Sequence, residues 1–250
     1  MDIASRIARL PWPLAAPSWV IPGTVAENCR FLAGKLRHVT LMLFETEACL
    51  AYGPSDLDPG LASLGLSLST HLPLDLDWSS GSDAVLDKVL GLVHKTAFLA
   101  PELHVLHPPT DPGLLDRFLA GWTRAGLDGA ALCVENTPGD DLSAHLEVVA
   151  GHGASLCLDL GHLLLSGQDA LLAPEILARA RMAHVSAPAP DGSSRHEPLT
   201  RLDALGELAL ARLLKGLDPG TVVLLEVFQW RGFVDSLALV EQAAQRMGTR

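Results

Sequence analysis

An alternation constrains this chain more than any other feature. Short β-rich runs are followed by longer helix-patterned runs, eight times over, with no linker or repeat between them. The strand candidates are residues 18–21, 38–44, 66–71, 103–107, 131–135, 155–159, 182–186 and 221–228. The clearest helical patterns cover 25–36, 83–99, 112–125, 142–151, 174–181, 203–215 and 233–247. Strands that are apolar along their length belong to a parallel sheet buried on both faces, and closure into a barrel is the usual arrangement for eight of them. The expectation is therefore a (β/α)8 TIM barrel forming one domain over residues 1–250. An open doubly wound sheet is the alternative. It is disfavoured because the first βα turn, Ile21-Pro22-Gly23-Thr24, lacks the GxGxxG cradle of a dinucleotide-binding fold.

Charge narrows the partners. The 18 Lys+Arg against 29 Asp+Glu leave a net of −11, and no stretch gathers basic residues into a stripe that could follow a phosphate backbone, which argues against nucleic acid. Part of the acidic excess suits bound cations, because carboxylates that ligate a metal stay deprotonated. Cys29, Cys49, Cys133 and Cys157 have no CxxC spacing and no secretory context, so a reduced cytoplasm is expected and thiolate zinc is not. Cys133 and Cys157 alternate with polar strand-end residues, as small core fillers do. Prolines at 11, 13, 17 and 22 break any signal-peptide core, and no apolar run approaches the roughly 20 residues needed to cross a bilayer.

Position carries the functional signal. Strand candidates three to eight each carry a metal-ligand type of residue toward the C-terminal edge, where barrel enzymes place their active sites. These are His71, His107, Glu135, Asp159 with His162 three residues on, His184 and Glu226. The loop Asp191-Gly192-Ser193-Ser194-Arg195-His196 adds one more imidazole. Singly, each reads as a satisfied polar group or a loop cap. Jointly they would crowd several negative charges into one desolvated mouth, which is costly unless cations compensate. Imidazole with carboxylate suits zinc or manganese, with iron(II) also compatible, and the absence of thiolates argues against a closed structural zinc. One to three divalent ions per chain are expected. Glu45, Arg195 and Trp230 are the candidate substrate contacts, with Trp78 as a further rim aromatic. His38, His94, His104, His145 and His152 read as surface or packing histidines.

These residues resemble the xylose isomerase-like TIM barrels, a superfamily that includes endonuclease IV and the sugar epimerases. Glu135, Asp159, His184 and Glu226 look like its shared metal set, with Asp159-x-x-His162 as a local signature. His71, His107 and His196 resemble the extra ligands of the trinuclear endonuclease site. That site pairs its loop histidine with an aspartate two residues earlier. Here Ser194 takes that place, leaving the third ion one carboxylate short unless Asp191 folds back. The basic DNA-inserting loops of the endonuclease are absent.

A closer resemblance, over nearly the whole chain, is to the cobamide-remodelling phosphodiesterases of the same superfamily. It rests on Pro17-Ser18-Trp19-Val20-Ile21-Pro22, Leu43-Phe44-Glu45, His71-Leu72-Pro73-Leu74-Asp75-Leu76, Val134-Glu135-Asn136, Cys157-Leu158-Asp159-Leu160-Gly161-His162-Leu163-Leu164-Leu165 and Leu225-Glu226-Val227-Phe228.

The resemblance implies hydrolysis of the nucleotide loop of a corrinoid, leaving cobinamide phosphate and an α-riboside. Glu135 and Glu226 would hold the attacking water between the ions as catalytic residues. The alternatives are a one-metal sugar isomerase or epimerase using Glu135 and Glu226 for proton transfer, and a barrel that binds a corrinoid or other metabolite without turnover.

Overall fold

A computed structural model describes residues 2–139, 142–193 and 195–248. The barrel strands are β1 (Leu14–Pro17), β2 (His38–Met42), β3 (Ser67–His71), β4 (Leu103–Leu106), β5 (Leu132–Glu135), β6 (Ser155–Asp159), β7 (Ala180–Val185) and β10 (Val222–Leu225). They close in the order β1-β10-β7-β6-β5-β4-β3-β2, every pair parallel. A two-residue antiparallel ribbon, β8 (Ala187–Pro188) with β9 (His196–Glu197), stands above the end of β7. The helices are α1 (Ile3–Ile7), α2 (Val25–Leu32), α3 (Thr46–Leu50), α4 (Ser82–Thr96), α5 (Pro112–Arg124), α6 (Leu146–Gly151), α7 (Leu160–Ser166), α8 (Pro174–Leu177), α9 (Ala204–Gly216) and α10 (Trp230–Gly248). Among the described residues no helix is long and apolar enough to cross a membrane.

Seven of the eight strand expectations fall on strands, and the first is corrected. Strand β1 is Leu14–Pro17, four residues ahead of the expected 18–21. The prolines at 13 and 17 read as breakers in sequence, yet each sits where its missing N–H is not needed. Pro13 contributes its carbonyl to Val223 N–H at 2.9 Å, and Pro17 ends the strand. Residues 18–21 form a pinned turn instead: Asn28 Oδ1 accepts from Val20 N–H at 2.8 Å and from Ile21 N–H at 3.0 Å. The last strand is also shorter than its apolar run, ending at Leu225. Helix 174–181 shrinks to Pro174–Leu177 because β7 starts at Ala180.

Strand alternation sorts the core into two layers. One set of residues, including Val39, Leu41, Val134, Leu158, Val185 and Leu225, packs outward against the helices. The other fills the barrel with Ala15, Leu103, Val105, Cys133, Cys157, Met182, Val222 and Leu224. One period further along the inward face come His107 after Val105, Glu135 after Cys133, Asp159 after Cys157, His184 after Met182 and Glu226 after Leu224. The polar cluster is thus the top layer of the barrel interior, seated on a floor of small apolar side chains and two free buried thiols.

Candidate metal centre

Glu135, Asp159 and His184 are completely buried, and Glu226 and His71 nearly so. Their donor atoms group into three overlapping sets. The deep set is Glu135, Asp159, His184 and Glu226. A second joins Asp159 to His162 and His196, and a third joins Glu135 and His184 to His71. His107 adds to the third, with Nε2 at 3.1 Å from Glu135 Oε2, where His71 Nε2 also arrives at 3.2 Å. His184 Nδ1 lies 2.9 Å from Glu135 Oε1 and 3.0 Å from Glu226 Oε2, and His196 Nδ1 lies 3.7 Å from that same Glu226 oxygen.

Local structure aims each donor. His71 Nδ1 donates to the Leu72 carbonyl at 2.9 Å and His162 Nδ1 to the Asn136 carbonyl at 2.9 Å, which fixes both tautomers with a lone pair on Nε2. Asp159 caps α7, its Oδ1 accepting His162 N–H at 2.6 Å, so only Oδ2 is left to face the centre. Asn136 ties the ends of β5 and β6 together. Its Oδ1 accepts Asp159 N–H at 2.7 Å, and its Nδ2 donates to the Asp159 carbonyl and to Gln168 Oε1, both at 3.0 Å. Gly161, inside the Asp159-x-x-His162 turn, is there because a Cβ would lie 2.8 Å from Ser186 Oγ. Ser186 Oγ in turn meets His196 Nδ1 at 3.0 Å.

Electrostatics show what is missing from this network. Burial works to raise the Glu135 pKa, but His184 and His107 overcome it and hold the carboxyl well below the usual carboxylate range. Glu226 is held low in the same way by His196 and His184 against the same burial. Asp159 goes the other way, pushed up by burial despite His162 and His196. Burial disfavours the charged form of His184, yet Cys157, Glu135 and Glu226 raise its pKa well above the ordinary value. Even so, Glu135 Oε2, Asp159 Oδ2, His184 Nε2 and Glu226 Oε2 are buried with no hydrogen-bond partner. Three of those four are carboxylate oxygens turned toward imidazole nitrogens of the same centre. Orphaned acceptors in such number are rare in folded proteins, and divalent cations between the rings and the carboxylates would satisfy them. The donor set therefore fits nitrogen and oxygen coordination of a divalent metal ion.

A cavity of about 910 Å³ opens above the cluster. His71, His107, Glu135, His162, His196, Glu226 and Arg195 line it. Glu45 and Trp230 do not. Glu45 is exposed at the start of α3, and Trp230 packs into α10, edge-on to Phe31 at 5.1 Å and stacked on Phe233 at 5.3 Å. Trp78 is likewise taken up by Phe118, 5.4 Å away. The loop does not fold back as Asp191 would require: its carboxylate pairs with Arg195 at 2.8 Å, and both side chains are exposed. Ser194 lies outside the described residues. Among the packing histidines, His38 meets Ser69 Oγ at 3.2 Å, His104 meets Thr70 Oγ1 at 2.8 Å and His145 meets the Pro109 carbonyl at 2.7 Å.

The other wall of the cavity was not expected from the sequence: it is formed by Met42, Phe44, Leu74, Val227 and Phe228, together with Arg201 at its rim. A signal was present. Phe44 and Phe228 stand two residues beyond Met42 and Glu226, on the inward period of their strands.

No family model and no curated protein sequence matches the chain. Solved structures do. A xylose isomerase domain-containing protein from Salmonella typhimurium superposes with a TM-score of 0.61 at 15% identity, covering 96% of this chain and 97% of the other. IolI protein, described with a binding zinc atom, gives 0.60 at 13%, covering 94% and 96%. A xylose isomerase-like TIM barrel protein from Mycobacterium smegmatis, in complex with magnesium, gives 0.59 at 16%, covering 94% and 97%. The chain therefore has the fold of the xylose isomerase-like TIM barrels, with a cluster of metal-ligand side chains at the C-terminal ends of its strands.

Proposed function

We propose that this chain is a metal-dependent phosphodiesterase that opens the nucleotide loop of a cobamide. The observation that carries the reading is the division of donors into three overlapping sets around shared buried carboxylates. A single-ion isomerase needs only the deep set of Glu135, Asp159, His184 and Glu226. The additional imidazoles of His71, His107, His162 and His196 suit a second or third ion, with Glu135 and Asp159 each shared between sets. Zinc or manganese held there would neutralise phosphate oxygens and acidify a coordinated water.

The chain's own residues supply the rest. Glu135 and Glu226 are the catalytic carboxylates, holding the attacking water by its protons opposite the phosphorus. Arg195, which lines the cavity, would take a phosphate oxygen. Water contributes its oxygen to the new bond at phosphorus and its proton to the departing ribose oxygen, so a cobamide and one water give cobinamide phosphate and an α-riboside. With four free buried thiols and no basic stripe, the reaction fits a reducing cytoplasm and a small-molecule substrate.

The test is to incubate the metal-replete protein with a complete cobamide and, in parallel, with simple sugars and an abasic DNA, following products by mass. Cobinamide phosphate with free α-riboside is the expected result. Sugar interconversion over an intact cobamide would assign the centre to an isomerase, and ligand binding without any product would make the barrel a carrier.

A further inference from the structure

We propose that the apolar wall facing the metal centre is a subsite for a broad, planar apolar group on the non-leaving arm of the substrate. The proposal rests on the phosphodiesterase reading and names which substrates that site prefers. Three observations carry it. First, aromatic rings run without a break from the outer rim to a metal donor: Trp19 lies 5.6 Å from Phe44, Phe44 5.7 Å from Phe228, and Phe228 5.4 Å from His196, each between ring centroids and each edge-on. Second, two of the large apolar side chains left exposed belong to this face: Leu74, at 53%, lines the cavity, and Trp19, at 40%, lies behind Phe44. The Leu74 loop is held against Phe44, whose carbonyl accepts Leu74 N–H at 3.2 Å. Leu74 is not an isolated exposed leucine: it lines the cavity beside Phe44 and Phe228, and a contiguous apolar face in a cavity, unlike a single exposed side chain, marks a binding surface.

Third, the cavity is divided by chemistry. Carboxylates and imidazoles form its floor, Arg195 and Arg201 its cationic rim, and Phe44, Leu74 and Phe228 one side. Arg195 is partly neutralised by Asp191, whereas Arg201 has no acidic group within ion-pair distance among the described residues. A free sugar, with only the small C–H face of its ring to offer, would leave most of the apolar side unmatched. An anion with an apolar plane attached meets all three surfaces at once.

Two synthetic diesters with one leaving group separate the arms: methyl 4-nitrophenyl phosphate and 1-naphthylmethyl 4-nitrophenyl phosphate. Both release 4-nitrophenolate, so only the non-leaving arm differs. The expected result is that metal-loaded wild type prefers the naphthylmethyl ester at least tenfold in kcat/KM. Leu74→Ser with Phe44→Ser should reduce that preference to about twofold, read as the ratio of the two esters within the same variant so that any change in basal rate cancels. Equal kcat/KM for the two esters in the wild type, or a preference that survives both substitutions, overturns the subsite. The same esters are titrated by tryptophan fluorescence. If neither is hydrolysed, the phosphodiesterase reading fails alone, and the subsite stands only if the naphthylmethyl ester still binds at least tenfold more tightly to wild type than to the double variant.

Discussion

His71 and Glu135 meet lone pair to lone pair. The Nδ1 hydrogen of His71 is committed to the Leu72 carbonyl, so Nε2 reaches Glu135 Oε2 at 3.2 Å with nothing to share. A cation has to sit between them. Without metal that cation is a second proton, which burial opposes but Glu135 favours enough to raise the His71 pKa. A divalent ion does the same work without charging the ring and also serves the other orphaned oxygens. An ion bound there would therefore supply a large part of the stability of this end of the barrel. Exhaustive chelation should lower Tm by about 10 °C, the scale set by a ligand present at ~1,000 times its Kd in a chain of this size. Elemental analysis of the replete protein should give two or three ions per chain, and a value of one would return the site to a single-metal isomerase.

Glu226 holds the position from which the predicted loss of function is sharpest. Its Oε2 is buried without a hydrogen-bond partner and stands 3.0 Å from His184 Nδ1. Glu226→Gln keeps the volume and removes the charge. Turnover should fall by at least about a hundredfold, the usual scale for deleting one preorganised electrostatic group, while Tm measured without metal stays within a few degrees of wild type. Normal turnover in this variant would remove the carboxylate from the mechanism.

Gly161 makes a more selective experiment. An added methyl sits 2.8 Å from Ser186 Oγ, and that hydroxyl is what meets His196 Nδ1. Gly161→Ala gains at most about 1 kcal/mol of helix propensity in the first turn of α7, which offsets the shift of Ser186 Oγ and the 3.3 Å approach to Asp159 Oδ1. Ser186 has to rotate, and His196 loses its support. The expectation is a variant as stable as wild type that binds one ion fewer, the one served by Asp159, His162 and His196. Unchanged stoichiometry and affinity would show that Ser186 does not orient this ligand.

The inward-facing carboxylates and imidazoles were legible because a strand has only two faces. Once Glu135 or Asp159 is placed at a strand end, its parity with the buried Cys133 or Cys157 decides that it points inward. The same rule would have found Phe44 and Phe228, two residues beyond Met42 and Glu226, but aromatics at strand ends read as ordinary core. Trp230 was misplaced for the opposite reason: an aromatic just past a strand suggests a rim, and only the packing of α10 shows that Phe31 and Phe233 take it up. Strand β1 was invisible because Leu14-Ala15-Ala16-Pro17 is small and proline-flanked, and it becomes a strand only by filling the gap between β10 and β2. The partition of imidazoles between Glu135 and Asp159 depends on distances across the barrel, which no local pattern encodes.

Two histidines remote from the metal chemistry should govern acid stability. His38 and His104 are buried and neutral, and burial lowers each from an ordinary 6.5 to about 4. Between those values the unfolded chain takes up protons that the folded chain refuses. Stability is therefore intact above pH 6.5 and falls as the pH drops toward 4, where the folded state begins to protonate as well. Each histidine should contribute a loss of roughly 3 kcal/mol over that interval. His104→Gln keeps a polar partner for Thr70 Oγ1, now 2.8 Å from His104 Nδ1, without the titration. Urea unfolding of wild type and variant at pH 7.5 and pH 4.5 isolates the effect, because the carboxylates common to both cancel in the difference. The variant should gain on the wild type by about that amount at the lower pH. An equal difference at both pH values would mean that His104 is solvated enough to titrate normally in the fold.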